Sequence, residues 1–254
     1  MRAPAQAFDA VAPVFDQRFG AWRSVAAQRS AVRSELLLAF PQGSSLLEIG
    51  GGTGDDAAWM TRQGRTVFLT DASPAMVQVA RQRLGERAAV CPAEQLHELD
   101  QPPFDGAFSN FAALNCVPDL RPVARGLQRL VRPGGRVVLV LFGTCPPGEV
   151  IVQLLRRDVP AAFRRRHLTA PARLGGREFF VHYHRPREVI RAMTPWFRFL
   201  GRRGIGVCVP PSAAEPWISA HPRLLGALAA MDRAVARPLA RLGDHVAYRF
   251  ERVA

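Results

Sequence analysis

The sequence predicts an α/β fold built on a doubly wound sheet, and three observations carry that prediction. The stretch Leu46 to Asp56, L-L-E-I-G-G-G-T-G-D-D, is an apolar run that turns through four glycines and opens into the helix-like A-A-W-M-T-R. Strand patterns and helix patterns then alternate over roughly 100 residues, which is the βαβ rhythm of a parallel sheet. Pro133-Gly134-Gly135 finally turns the chain into R-V-V-L-V-L-F, an almost wholly apolar strand suited to the middle of such a sheet.

Residues 1 to about 40 read as helices. Phe8, Val11, Ala12, Phe15 and Phe19 recur at helical spacing, and Val25 to Phe40 gives a second amphipathic pattern that stops at Pro41. These residues either face the core or place a helix over a bound molecule. After the glycine turn, R-T-V-F-L-T-D is a second strand ending in Asp71, and Ser73 with Pro74 opens the next helix as N-cap and first-turn proline. A-A-V-C is a short third strand, F-D-G-A-F-S-N a fourth, and D-L-R-P-V-A-R-G-L-Q-R-L-V a helix leading to the fifth. Further on, Pro186 to Trp196 reads as a helix, F-R-F-L-G-R-R-G-I-G-V-C-V as an interrupted sixth strand, and H-V-A-Y-R-F-E-R-V as the seventh.

Two cofactors fit the glycine turn. Gly52, Gly54 and Ala57 match the dinucleotide fingerprint, with Asp71 near the distance at which an acid meets a ribose. Glu48 decides between them. A carboxylate at the end of the first strand would oppose a pyrophosphate, whereas S-adenosylmethionine (SAM) has no phosphate and carries a sulfonium and an α-ammonium. Its single carboxylate suits the N–H groups of the turn. The charge pattern therefore favours SAM over NAD.

Composition narrows the classes further. No apolar run approaches the ~20 residues of a membrane span, and the start M-R-A-P-A-Q-A-F-D lacks the apolar core of a secretory signal, so a cytoplasmic protein is expected. A net charge of +13 suggests nucleic acid, but all 34 basic residues are arginine, which points to a composition bias more than to phosphate recognition. Cys91, Cys116, Cys145 and Cys208 stand far apart with no histidine at ligand spacing, so no metal site is expected.

Residues 46 to 142 resemble the core of class I SAM-dependent methyltransferases, most closely the ubiquinone/menaquinone-biosynthesis type. E-I-G-G-G-T-G, T-D-A-S-P-A-M, P-A-E-Q-L, F-D-G-A-F-S-N-F-A-A-L-N and L-V-R-P-G-G-R occur in order. The resemblance implies a Rossmann-like seven-stranded sheet whose last strand is antiparallel. It implies that Gly50, Gly52, Thr53 and Gly54 cradle the methionine end of SAM beside Glu48. Asp71 and Ala72 would take the ribose, Ala93 and Glu94 would edge the adenine, and Asn110 would lie beside the sulfonium. Residues 1-45 would cap the cofactor, and 46-254 would form the methyltransferase domain with insertions 143-185 and 211-244.

Both insertions leave the carboxyl edge of the sheet, where ligands bind in such folds, and should form a helical lid over the substrate. The first contains E-V-I-V-Q-L-L-R-R-D-V, expected as a helix closed by Pro160, then F-R-R-R-H and G-G-R-E-F-F-V-H-Y-H. The second carries a helix with Leu224, Leu228, Met231 and Val235 on one face and Arg233, Arg237 and Arg241 on another. That helix either packs on the domain or rests on a membrane surface. Methyl transfer is an in-line displacement that needs alignment and dryness, with a base only for some acceptors. Candidate bases are His182, His184 and His245; in a strand, His182 and His184 would share one face and Tyr183 the other. S-N-F-A lacks the tetrapeptide with which adenine-amino methyltransferases present a base, so a small, lipophilic metabolite is expected before RNA or DNA. A SAM-binding regulatory module without catalysis is the remaining alternative, and the oligomeric state is left open.

Overall fold

Period-two alternation along the strands sorts their side chains onto two apolar faces. On β1 (Ser45–Ile49) Leu46 points to one core, while Leu47 and Ile49 point to the other. The computed structural model describes residues 4–254, apart from the side chains of Arg18 and Phe19, so the role expected of Phe19 lies outside the described residues.

The chain begins with α1 (Pro4–Asp9), a 3-10 turn (Ala12–Val14), α2 (Phe15–Gly20) and α3 (Arg23–Ala39). The first amphipathic pattern is thus not one helix. Pro13 lacks an N–H and falls in the first turn of the 3-10 segment, which separates α1 from α2. The core then alternates β1, α4 (Asp55–Arg62), β2 (Thr66–Asp71), α5 (Pro74–Leu84), β3 (Ala88–Val90), β4 (Phe104–Ser109), α6 (Leu120–Leu130) and β5 (Val131–Phe142). The first insertion holds α7 (Pro147–Leu155), α8 (Val159–Phe163), β6 (Thr169–Leu174) and β7 (Arg177–His182). α9 (Pro186–Met193), β8 (Phe197–Ile205), α10 (Pro222–Val235) and β9 (His245–Arg252) complete the chain.

The sheet has seven strands in the order β3-β2-β1-β4-β5-β9-β8. β9 runs antiparallel to both of its neighbours, and the pairings among β1 to β5 are parallel. The interruption expected in the sixth strand is a register shift between Phe199 and Gly201; the strand ends at Ile205, where Gly206 (φ +68) turns the chain. One face is covered by α3, α4 and α5 through Leu36, Met60 and Val77, packed on Leu46, Leu69, Phe108, Val138 and Val140. The other is covered by α6 and α9 through Leu127, Val123, Val189 and Met193, packed on Leu47, Val137, Leu139 and Leu141.

The lid differs from the expectation in three ways. Pro160 does not close a helix; it opens α8, whose N-cap Asp158 accepts the Ala161 N–H at 3.0 Å. The first insertion is only partly helical, because Gly175 and Gly176, at φ +56 and +72, turn β6 back onto β7 as an antiparallel hairpin. On α10 the inward residues are Leu225, Leu228, Ala229 and Asp232, while Leu224 and Met231 are exposed. Asp232 fixes that orientation by accepting the backbone N–H groups of Gly206 (3.2 Å) and Cys208 (2.7 Å). Arg237 and Arg241 lie beyond the end of α10. Among the described residues no helix is long and apolar enough to cross a membrane, and no acid, histidine and cysteine cluster could hold a metal.

Candidate active site

The turn after β1 is shaped by glycine. Gly50, Gly52 and Gly54 all take positive φ, and a Cβ on Gly50 would sit 2.5 Å from the Ala113 Cβ, so nothing larger fits. Beneath the turn lies Glu48, only 2% exposed, accepting the Ala57 N–H. Burial, reinforced by the nearby charge of Asp56, pushes its carboxyl well above the ordinary carboxylate range. Its Oε2 is buried with no hydrogen-bond partner. An orphaned acceptor of that kind is costly unless a donor arrives.

Asp71, at the end of β2, is held at both oxygens: Oδ2 accepts the Gly52 N–H at 2.9 Å and Oδ1 the Ser73 N–H at 2.8 Å. Burial raises its pKa, against the lowering effect of those bonds. Asn110, just after β4, has both groups engaged, its amide N donating to Asp56 Oδ2 (2.7 Å) and its Oδ1 accepting the Phe111 N–H (2.7 Å). Asp56 in turn takes Arg33 Nε at 2.8 Å, which fastens α4 to α3. The N-terminal helices are tied to the same place. Asp9 accepts the Ser73 hydroxyl at 2.6 Å, and Asp16 accepts that of Thr53 at 2.7 Å.

Around these groups is a continuous cavity of about 530 Å³. Its lining includes Glu48, Gly50, Gly52, Thr53, Asp71, Ala72, Ala93, Glu94 and Asn110. Gly54 is the exception among the proposed cofactor residues. It opens α4 in the left-handed region, and a Cβ there would meet Ala80 and Leu84 at 3.3 Å, so it serves the packing of α4 on α5. The rest of the wall is apolar and comes from other elements: Phe8 and Phe15, Phe111, Phe142, and Phe179, Val181 and Tyr183 from the hairpin and its exit, with Arg164 beside them.

None of the three candidate histidines lines the cavity. His182 lies 3.3 Å from the Thr169 hydroxyl, and buried His184 lies with Nε2 2.9 Å from the Val117 carbonyl; burial lowers both pKa values. His245 is buried behind the wall, stacked on Phe142 at 4.9 Å and edge-on to Phe111 at 5.7 Å. The side chain that does enter is Tyr183, and the alternation of V-H-Y-H already set it opposite the histidines. A second feature had no sequence signal. Phe111 and Ala112 take φ +44 and +60 without being glycine, a strain of about 1–3 kcal/mol each, at the wall just after Asn110.

Behind the wall, buried Arg165 pairs with Glu149 and with Asp244 Oδ1 (2.6 Å), and donates to the Gly143 and Asp244 carbonyls at 3.0 and 2.7 Å. Its guanidinium lies 4.8 Å from the Phe142 ring. Asp244 is driven far below the usual carboxylate range by His245 and Arg165, despite complete burial. This network clamps the first insertion to the ends of β5 and β9.

Residues 47–139 match the family model for a methyltransferase domain. Over 212 residues the chain is 31% identical to the malonyl-[acyl-carrier protein] O-methyltransferase of Halorhodospira halophila, covering 75% of this chain and 69% of that one. The chain belongs to the class I SAM-dependent methyltransferases. The methyltransferase is also 34% identical to the ubiquinone/menaquinone biosynthesis C-methyltransferase of Bordetella avium over 129 residues, which are 48% of this chain and 46% of that protein. A SAM-dependent methyltransferase from Mesorhizobium loti shares the fold with a TM-score of 0.57 at 18% identity, covering 89% of this chain and 98% of that one. S-adenosylmethionine is the cofactor, and the site suits it. Glu48 Oε2 is a buried oxygen with no hydrogen-bond partner, which fits an ammonium donor, and Gly52, where a Cβ would meet nothing nearer than the Met76 sulfur at 4.0 Å, leaves the turn open to the cavity.

Proposed function

We propose that this methyltransferase alkylates a small, lipophilic acceptor held against the aromatic wall formed by Phe111, Phe142, Phe179 and Tyr183. One observation supports this above the others: a single cavity joins the acidic, glycine-built end to a wall of aromatic and aliphatic side chains. When bound, SAM supplies an electrophilic methyl whose transfer leaves a neutral thioether. Glu48 would receive the α-ammonium, the N–H groups of the glycine turn the carboxylate, Asp71 and Ala72 the ribose, and Ala93 and Glu94 the adenine edge. Asn110, locked between Asp56 and the Phe111 N–H, would hold the backbone at the sulfonium end of the bound cofactor.

The chain's own share of catalysis is alignment and exclusion of water. α1 and α2, pinned through Asp9 and Asp16, cover the cofactor end, and the β6–β7 hairpin covers the acceptor end. Tyr183 acts as a donor and not as a base, because burial pushes its phenol pKa upward. Its hydroxyl orients an acceptor oxygen or nitrogen, and Arg164 offers a cation to a polar substituent of the acceptor.

Titration with SAM and with NADH, comparing the native chain with Asp71→Asn, tests the cofactor half. SAM alone should bind, and the variant should bind it at least about tenfold more weakly. Release of S-adenosylhomocysteine in a screen of phenols, quinols and acyl thioesters against hydrophilic amines tests the acceptor half. Turnover confined to hydrophilic amines would sink it.

A further inference from the structure

The helix α7 is built inside out. Its sequence P-G-E-V-I-V-Q-L-L is almost wholly apolar, yet the residue it buries is Glu149, drawn inward by Arg164 and Arg165. Ile151, Leu154 and Leu155 face solvent, and Leu155 is 79% exposed. A helix of a soluble domain does the reverse. The segment that follows continues the theme: Val159 and Leu168 are exposed, among exposed Arg156, Arg157 and Arg166. From 151 to 168 the acid is Asp158, which is occupied as the N-cap of α8. Large apolar side chains and arginines on one protruding segment are what an anionic lipid surface binds, the apolar groups entering the headgroup boundary and the cations meeting phosphate.

We propose that the α7–α8 segment docks the enzyme on an anionic phospholipid bilayer. Charge complementarity selects this occupant, and the shape agrees with it. Side chains as exposed as Leu155 stand out from the surface and suit insertion, where a protein partner would need a matching groove. α10 shares a small core with α7 through Val152, Leu225, Leu228 and Ala229, and adds exposed Leu224 and Met231 to the same cap. The docked segment runs directly into the β6–β7 hairpin, whose Pro171, Phe179 and Val181 wall the cavity, with Arg164 between. The docked segment is therefore continuous in the chain with the acceptor end of the cavity. The docking stands on the surface itself, and only its purpose, access for a lipophilic acceptor, rests on the function proposed above.

Co-sedimentation of the full chain with vesicles of phosphatidylcholine, and of phosphatidylcholine mixed with phosphatidylglycerol, tests this directly. The mixed vesicles should retain the protein at least about tenfold better than the neutral ones, and less as salt rises. Ile151→Asp combined with Leu155→Asp should lower retention by about tenfold or more with SAM binding unchanged. Arg157→Gln with Arg166→Gln should lower it while flattening the salt dependence, and decides the matter if the first pair does not fold. Absence of binding to mixed vesicles, or retention unchanged in both pairs, would overturn the proposal. It is equally overturned if these residues instead support a dimer of the chain, or binding to a purified acidic carrier protein with no affinity for vesicles. SAM titration is read independently, so failure on vesicles leaves the proposed function standing.

Discussion

In a Glu48→Gln variant, apo stability and cofactor affinity should move in opposite directions. The folded chain holds the Glu48 proton more tightly than the unfolded chain, because burial and the charge of Asp56 disfavour the carboxylate. Stability attached to this group is complete below the ordinary carboxylate range and is lost as pH rises through its elevated folded value. Without cofactor the native protein therefore keeps a buried carboxyl oxygen with no hydrogen-bond partner, and wherever the proton is lost a buried charge as well. Gln retains an acceptor for the Ala57 N–H, removes the charge and places an amide donor near Asp56. Removing one unsatisfied buried group is worth about 1–3 kcal/mol, or roughly 2–4 °C in Tm per kcal/mol for a chain of this size. SAM loses a charge-assisted bond of about 1.5–3 kcal/mol, which is roughly 10- to 150-fold in affinity. Differential scanning fluorimetry reads the first effect and calorimetric titration the second. Calorimetry in buffers of different ionisation enthalpy should also show proton release on SAM binding to the native chain, in the interval between the ordinary and the elevated pKa, and none in the variant. A lower Tm with unchanged SAM affinity would refute the reasoning, since it would make Glu48 a structural group.

Three further outcomes are expected. Gly50→Ala combines a positive φ, costing about 1–2 kcal/mol, with a Cβ 2.5 Å from that of Ala113, so stability should fall by more than the φ cost in denaturant unfolding, and the displaced turn should bind SAM at least about tenfold more weakly by titration. Arg165→Gln takes from buried Glu149 and Asp244 the cation they share, leaving Arg164 and His245 as their remaining partners, and should destabilise by up to about 3 kcal/mol in denaturant unfolding, with the Asp244 part of the loss shrinking in acid. His182→Gln should leave turnover unchanged, because its ring faces Thr169, whereas Tyr183→Ala should reduce kcat/KM for the acceptor by at least about tenfold with SAM affinity retained; equal effects in the two would count against the wall assignment.

Much of this was legible in the chain because the core elements obey local rules. The glycine turn, Ser73 as a cap, the apolar β5 and the acids Glu48 and Asp71 are each specified within a few residues. The lid obeys tertiary rules instead. Gly175-Gly176 turns a hairpin where a helical lid was expected, because the flanking arginines blur the alternation on either side. α10 is apolar or small nearly all the way round, so periodicity could not choose its inward face, which is set by Asp232 reaching the N–H groups of Gly206 and Cys208. Pro160 could equally end one helix or begin another, and Asp158 two positions earlier settles it. For V-H-Y-H the pattern placed the residues on opposite faces correctly. It could not say which face met the cavity.

The antiparallel β9 has a consequence for the order in which the protein is made. Val137 to Leu139 of β5 pair with β4 on one side, but the strand's other edge waits for residues 245 to 251, which are made only after the lid. β8 cannot fill the gap, because it pairs with β9 alone. Throughout the synthesis of the entire lid the nascent sheet thus exposes a long, flat, apolar edge, the kind that recruits other chains. A ribosome stalled before His245 would display that edge, and the pairing of β9 is the step that hides it from neighbouring chains.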